Sequence, residues 1–318
     1  MVRTKGRVAR ALNLSLFQVS MPSQSSQQSA RDLMSMMEKL YVSFANLHAW
    51  GWNKFAYGEP YLSLEMAMPH IGDRVHFYMA IPRSYESMFE KQLKELYPQA
   101  QLERVRDYNI FNHRGVVAGG YVQLQSSAVV PLNSYTRMER DPLSSLIAAL
   151  SKLEKEGEGA ALQILIRPSH RQDMRDLAQK VTQEIQMGHT LQEALSRAHS
   201  SRPLNKRDPA LVPANGSSNQ AVVELIQAKA TRPLFDTNIR IMVSAGDEAR
   251  AQQILSQVTG SLSEFSGQDL NSFQTHLFGD KALEKLIFDF SFRMFEKTQV
   301  VPLSSEELAS LYHFPAQA

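Results

Sequence analysis

Apolar and polar positions alternate at the start of the chain. Leu12, Leu14 and Leu16 share one side of "LNLSLFQV", which predicts a strand over 12–19. A polar stretch, "SQSSQQSARDL", leads into Leu33, Met36, Met37, Leu40, Phe44 and Leu47 at helical spacing. "YLSLEMAM" and "VHFYMAI" then alternate around the turn-like "PHIGDR", placing Leu62, Leu64, Met66 and Met68 opposite Val75, Phe77, Met79 and Ile81 in a hairpin. Ser84 is placed to cap a second helix with Tyr85, Met88, Phe89, Leu93 and Leu96 on one face; Pro98 ends it, and "QLERVRDYNIF" follows as a strand. Strand, helix, strand, strand, helix, strand is the order of the split βαβ, or ferredoxin-like, sandwich.

The pattern then repeats without residue-level similarity. A loop at "NHRGVVAGG" leads to the strand "YVQLQ". Asp141 at a cap position and Pro142 at the first helical position open a helix that glycines close. "ALQILIRP" reads as a buried strand, and a long helix starts near Gln172. Residues 203–220, rich in Pro, Ser, Asn and Gly, read as a mobile linker. "AVVELIQAKAT" resumes a helix, "FDTNIRIMVSA" is a strand, "DEARAQQILSQVTGSLSEF" is a helix and "NSFQTHLF" is a strand. The fold class is therefore α+β, two ferredoxin-like modules in tandem, the second carrying a long insertion.

The last element is the most sharply signalled. After "VVPL", Ser304 is placed as a helix cap, Glu307 as its capping-box partner, and Leu303 with Leu308 as a hydrophobic staple. Such a box contributes on the order of 1 kcal/mol. Leu308, Leu311 and Tyr312 give this helix an apolar face that has to dock on something. The chain divides into a basic arm (1–10), a first module (11–115), a second module (116–303) with its linker at about 200–220, and a connector helix (304–318).

Charge adds one distinction. Lys and Arg number 34 against 32 Asp and Glu, and setting aside Arg3, Lys5, Arg7 and Arg10 leaves 30 against 32. The basic tone belongs to the arm, which weighs against a basic nucleic-acid-binding face on the body. There is no cysteine, so disulfides, thiolate metal sites and a cysteine nucleophile are excluded. No apolar run is long enough to span a bilayer. Phosphate-binding, dinucleotide, nucleophile-elbow and zinc-protease motifs are lacking; "SAGDEARA" and "FGDKALEK" read as plain helix starts. The scattered histidines offer no metal-ligand spacing, and His76 reads as a sheet histidine facing away from Val75 and Phe77. The carboxylates of 154–160 read as a solvated helix end. Trp50, Trp52, Phe55 and Tyr57 form a cluster that suits core cover more than a base-stacking platform, and Arg202, Lys206 and Arg207 sit in a loose basic run at the linker. No catalytic, cofactor or metal residues are assigned, and no cofactor or small-molecule substrate is expected.

"LFDTNIRIMVSAGDEARAQQILSQVTGSLSEFS", "LNSFQTHLF" and "SSEELASLYHFP", with "DPLSSLIAALSKLEKEGEGAALQILIRP" and "VHFYMAIPRSYESMFEKQLKELYPQAQL", resemble the α+β region of coupling-protein-like ATPases of the HerA/FtsK group, from bacterial conjugation and type IV secretion. In that family this region lies after membrane segments and before the ATP-binding core. The resemblance implies a non-catalytic scaffold that positions a DNA- or protein-translocating motor at the cytoplasmic face of the membrane, held there by a segment outside this chain. Its implied partners are the downstream ATPase domain, neighbouring subunits and secretion-channel components, with DNA reached through the parent protein. Leu308, Leu311, Tyr312 and Phe314 would dock on that downstream domain. The alternative is a stand-alone nucleic-acid-binding module that uses Trp50, Trp52, Arg202, Lys206 and Arg207.

Overall fold

The computed structural model describes residues 12–21, 29–47, 59–72, 74–154, 156–199 and 216–315, the side chains of 216–219 and 280 excepted. The basic arm, Trp50 and Trp52 with their aromatic neighbours, and Arg202, Lys206 and Arg207 lie outside these residues.

The first half runs β1 (Leu14–Ser20), α1 (Ala30–Phe44), β2 (Leu62–Met68), β3 (His76–Pro82), α2 (Glu86–Leu96) and β4 (Gln101–Val105). The second runs β5 (Val116–Leu124), α3 (Leu143–Leu150), β6 (Gly159–Ser169), an insertion of α4 (Gln172–Gln186), α5 (Leu191–His199) and α6 (Gly216–Thr231), then β7 (Leu234–Ala245), α7 (Glu248–Ser261) and β8 (Phe273–Phe278). After it come α8 (Asp280–Ser291), β9 (Val301–Ser304) and α9 (Ser305–Leu311). The fold is α+β.

The nine strands of the described residues belong to one antiparallel sheet, ordered β4-β1-β3-β2-β6-β7-β5-β8, with β9 paired to β7. Within the first half the spatial order is fourth, first, third, second strand. Reading the second half inward from β8 gives the same order. The halves meet where their second strands pair: Leu62 lies opposite Ile166, Glu65 opposite Gln163 and Met68 opposite Ala160. Two equivalent edges joined antiparallel imply a pseudo-twofold axis normal to the sheet, which puts the helices of both halves on one face. That is what the core shows. Met37 and Leu40 of α1, Phe89 and Leu93 of α2, Leu146 of α3 and Ile254 of α7 pack in one apolar cluster with Leu64, Met79, Ile164 and Ile241. Leu286 and Phe290 of α8 cover the opposite face over Ala67, Tyr78, Ala161 and Met242. β6 and β7 are thus buried on both sides. The insertion builds its own cluster from Met174, Val181, Ile185, Ala194, Val223 and Ile226.

Several local expectations change. Ser84 does not cap α2: it lies in a 3-10 turn, and Tyr85 precedes the helix without a side-chain cap. The strand over 101–111 stops at Val105. The expected loop at "VVAGG" is the first part of β5. Glycine belongs there because neighbours press on it: a Cβ on Gly119 would lie 2.6 Å from Met242 Sδ, and one on Gly120 would lie 2.5 Å from His276 O. The long helix from Gln172 breaks at Gly188, whose φ of 96° suits glycine, and resumes as α5.

The connector helix is the main correction. Its capping box and staple residues stand as expected: Ser304 Oγ accepts from Glu307 N at 3.3 Å, Glu307 Oε2 accepts from Ser304 N at 2.8 Å, and Leu303 and Leu308 are both buried. The apolar face, however, docks inside this chain. β9 pairs with β7, placing Leu234 opposite Ser304, and α9 packs against α1. Leu308, Leu311, Tyr312 and Phe314 all belong to the main core and are at most 1% exposed, so none presents a surface to another domain. Tyr41 Oη donates to Tyr312 O at 2.8 Å and Tyr312 Oη donates to Tyr78 O at 3.0 Å. Phe314 stacks edge-on against Tyr97, with ring centroids 5.3 Å apart. Leu308→Ala is therefore expected to destabilise the isolated chain by roughly 2–5 kcal/mol, through lost transfer energy and the cavity left behind. Urea denaturation of this chain alone checks it; an unchanged midpoint would mean the helix is not docked here.

Candidate functional site

The four predicted docking residues converge beside a cluster of charges, of which Lys229, Glu306 and Glu307 are buried. Its centre is the start of α9. The capping box uses one oxygen of Glu307; the other, Oε1, faces Lys229 Nζ at 2.9 Å and accepts from Leu132 N at 2.8 Å. Lys229 and Glu307 are both buried. Glu306 forms a close ion pair with Arg232 Nη2 through Oε2, and its Oε1 accepts from Ser134 Oγ and from Thr136 Oγ1 at 2.9 Å. Arg137 Nη1 stands 3.9 Å from Glu306; burial lowers its pKa, and the neighbouring glutamates offset part of that. Glu38 Oε1 of α1 accepts from Ser305 Oγ at 2.8 Å and Arg232 Nε at 3.4 Å, and its Oε2 accepts from Tyr135 Oη at 2.7 Å. Burial and Glu38 push the Tyr135 hydroxyl upward, so it stays a donor.

Three carboxylates and three cations thus join four parts of the chain: α1 of the first half, the 130–137 segment of the second, the end of the insertion at 229–232, and β9–α9. At the far end of α9, His313 Nε2 lies 3.1 Å from Asp141 Oδ1. Burial raises the Asp141 pKa, but His313 and the Leu143 N–H outweigh it and hold the carboxyl below its usual value. The helix starts one residue later than expected, at Leu143 with Pro142 in the cap position and no side-chain cap; Asp141 Oδ1 nonetheless accepts from Leu143 N at 2.8 Å.

A second buried cluster lies on the opposite sheet face. Glu65, fully buried at the centre of β2, accepts from Arg293 Nε at 2.8 Å and Nη2 at 3.0 Å, from Gln163 Nε2 at 3.0 Å and from Ser63 Oγ at 2.5 Å. Arg293 also reaches Asp107 at 2.9 Å, and the Coulombic pull of Glu65 and Asp107 outweighs burial and raises its pKa. Its φ is 49°, a left-handed conformation costing a non-glycine residue roughly 1–2 kcal/mol, which the bidentate pair offsets. Tyr78 stacks on Tyr108 at 4.5 Å, and burial with nearby Glu65 pushes Tyr78 up to about 12. Arg240 of β7 is wholly buried and donates to Gln163 Oε1 at 3.1 Å, Asp289 O at 3.1 Å and Met294 O at 2.5 Å. This set fastens α8 and the turn after it to the sheet. His76 lies on this same face, tilted against Tyr78 at 6.0 Å.

Two further pairs complete the polar interior. Asp236 takes Arg167 at 2.8 Å, Arg171 at 2.9 Å and Ser169 Oγ at 3.0 Å; burial raises its pKa, but the two arginines prevail and lower it. Glu158 is buried against Arg250 Nε at 2.6 Å, which corrects the view of 154–160 as a wholly solvated helix end. "SAGDEARA" is a plain helix start, in which Asp247 accepts from Arg250 N at 2.9 Å.

These carboxylates are engaged by cations and donors of the chain itself. That is the arrangement of pins. A general acid or base must reach a substrate proton. Among the described residues no three His, Cys, Asp or Glu side chains gather as metal ligands would, and no helix is long and apolar enough to cross a membrane. Some signals were present in the sequence. Lys229 follows Ile226 by three positions, which puts a charge at core spacing in "AVVELIQAKAT". Glu65 occupies the polar side of an otherwise apolar alternation.

The fold defines an α+β protein with one continuous antiparallel sheet, fastened by ion pairs that include buried Lys229–Glu307. Residues 29–318 match the DUF8128 family, described as a domain of unknown function, and the chain belongs to that family. No curated protein matches the chain.

Breaking one partner of the central pair should be costly. Lys229→Met or Glu307→Gln alone is expected to lose roughly 3–5 kcal/mol, and Lys229→Met with Glu307→Gln to lose clearly less than the two singles together. A double-mutant cycle by urea denaturation reads this, and additive losses would mean the pair is not coupled. For Asp236, the folded pKa lies below its ordinary value of 3.8. Its ionised form therefore stabilises the fold at neutral pH, and this contribution fades as the pH drops through about 4 and below. Asp236→Asn should lose roughly 3 kcal/mol at neutral pH. As the pH falls below about 4 its urea midpoint should move toward that of the wild type; a gap that stays constant with pH would refute the assignment.

Proposed function

We propose that this chain is a non-catalytic positioning module of a type IV secretion or conjugative translocation ATPase, acting beside the membrane on its cytoplasmic side. The observation that supports it best is the charge cluster at the start of α9. It ties both halves, the insertion and β9–α9 into one body, with Lys229, Glu307, Arg232, Glu306 and Glu38 all spent on internal contacts. A body whose central charges are engaged internally suits holding other parts in place. The scaffold's contacts with the motor do not run through Leu308, Leu311, Tyr312 and Phe314, which the core occupies. They run through outer surfaces of the body, and DNA is handled by the motor. In this role the chain itself uses no cofactor and turns over no small molecule.

A stand-alone nucleic-acid-binding module is the second reading, favoured by the aromatic and basic residues Trp50, Trp52, Arg202, Lys206 and Arg207. Two measurements decide. The coding frame around the gene is expected to carry a phosphate-binding loop with a Lys-Ser or Lys-Thr pair in the same protein or beside it. The purified chain is expected to show neither ATP hydrolysis nor saturable binding to labelled single-stranded DNA at low salt. Salt-dependent binding that Trp50→Ala and Trp52→Ala abolish would install the second reading, and ATP hydrolysis by this chain alone would overturn both.

A further inference from the structure

The eight-strand path of the sheet ends in two outer strands, and they differ. β4 carries Glu103 and Arg104, the charged kind of edge that discourages further pairing. β8, "FQTHLF", has no charge and no proline. It pairs with β5 on one side, and among the described residues no strand lies on its other side. Leu277 in this strand is 57% exposed.

The hydrogen-bond direction of β8 is fixed. Ser272 O accepts from Gln125 N at 2.9 Å, so Ser272 and, by alternation, Gln274, His276 and Phe278 turn their backbone groups toward β5. The carbonyl of His276 lies close against Gly120 of β5, as this requires. The backbone N–H and C=O of Phe273, Thr275 and Leu277 therefore point outward. Phe273 packs on the helix-side core, so Thr275 and Leu277 share that face.

We propose that β8 is a self-association edge, where a second copy of this chain adds its own β8 antiparallel with Thr275 opposite Thr275. A twofold axis through an antiparallel pair must match outward groups with outward groups and keep each face continuous. The Thr275 register meets both conditions. It sets Phe273 of each copy against Leu277 of the other on the helix face, covering the exposed leucine, and Gln274 against His276 on the opposite face. Six backbone hydrogen bonds form: two between the threonines and two at each Phe273–Leu277 pair. Centring on Phe273 or Leu277 satisfies direction but leaves most of the strand unpaired. The chain already uses the same geometry inside itself, where β2 and β6, equivalent strands of its two halves, join edge to edge antiparallel. β8 pairing repeats that junction between copies and turns two nine-stranded sheets into one. A single short strand pair buries little surface, so the dimer is weak and concentration-dependent. The inference rests on the sheet edge alone and does not depend on the proposed function.

The chain lacks cysteine, so one introduced thiol gives a clean report. Thr275→Cys places its thiol at the axis, where Cα atoms of a hydrogen-bonded pair stand about 5.5 Å apart, within disulfide range. Under mild oxidation of the full chain it should form a covalent dimer, whereas Gln274→Cys should not. Sedimentation velocity across a concentration series should show dimer in the wild type. Leu277→Lys and Thr275→Pro should remain monomeric with unchanged thermal melting, since in the protomer the Thr275 N–H bonds nothing within its sheet. A wild type that stays monomeric at every concentration overturns the proposal. So does a dimer that persists in both variants, or cross-linking as efficient through Gln274→Cys. A monomer that instead gains an added strand from an unrelated extended peptide assigns the edge to a different partner and also overturns it.

Discussion

The buried pair of Lys229 and Glu307 is the interaction on which the arrangement of the chain depends. Glu307 does two things with one carboxylate: one oxygen closes the capping box of α9, and the other holds Lys229 and the Leu132 N–H. Lys229 comes from the insertion, Leu132 from the second half, and α9 lies on α1 of the first half. Two buried ions are costly to desolvate, and the pair is tolerable only because each has further partners. Apolar residues of similar volume would hold α9 in place about as well. What they would lack is direction, since a leucine in the place of Glu307 would fit several rotations of α9 and an ion pair with a shared backbone donor fits few.

Directional fastening matters more here because of the internal symmetry. Each half has the same strand order, and the two join through equivalent strands across a pseudo-twofold axis. A purely apolar layer of helices on such a sheet offers near-equivalent places for α9. The polar groups break the degeneracy: Glu38 from the first half and Arg232 from the insertion have no counterpart across the axis in the contacts they make with Ser305 and Glu306. On the opposite face Glu65 and Arg293 do the same for α8, which is drawn onto β2 of the first half although it follows the last strand of the second.

Strand order, helix order and the capping box of α9 were legible in the sequence because each is a local pattern. Alternation in "YLSLEMAM" and the spacing of Ser304 and Glu307 need no knowledge of distant residues. What lay beyond reach was pairing at long range. Nothing local in "VVAGG" says that Met242 and His276 will press on Gly119 and Gly120, so the strand reads as a loop. Nothing local in "SSEELASLY" says whether the face of Leu308 and Tyr312 meets this chain or another. That is a question of where β9 pairs, and β9 pairs with β7, more than fifty residues upstream. Charged residues at core spacing, Lys229 above all, were the one local sign of the buried network, and they name no partner until the fold brings one.

The same contrast between local and distant constraint separates the two ends of the sheet. Interior strands β6 and β7 are buried on both faces, and the polar residues they carry, Gln163, Asn238 and Arg240, are bonded within the chain. Strand β4 ends the sheet with charges. Strand β8 ends it with Thr275 and Leu277 turned outward and nothing to discourage a neighbour. A sequence that places charges with such economy inside, and at one edge, leaves the other edge uncharged at the position where its backbone direction and face parity allow a copy of itself to continue the sheet.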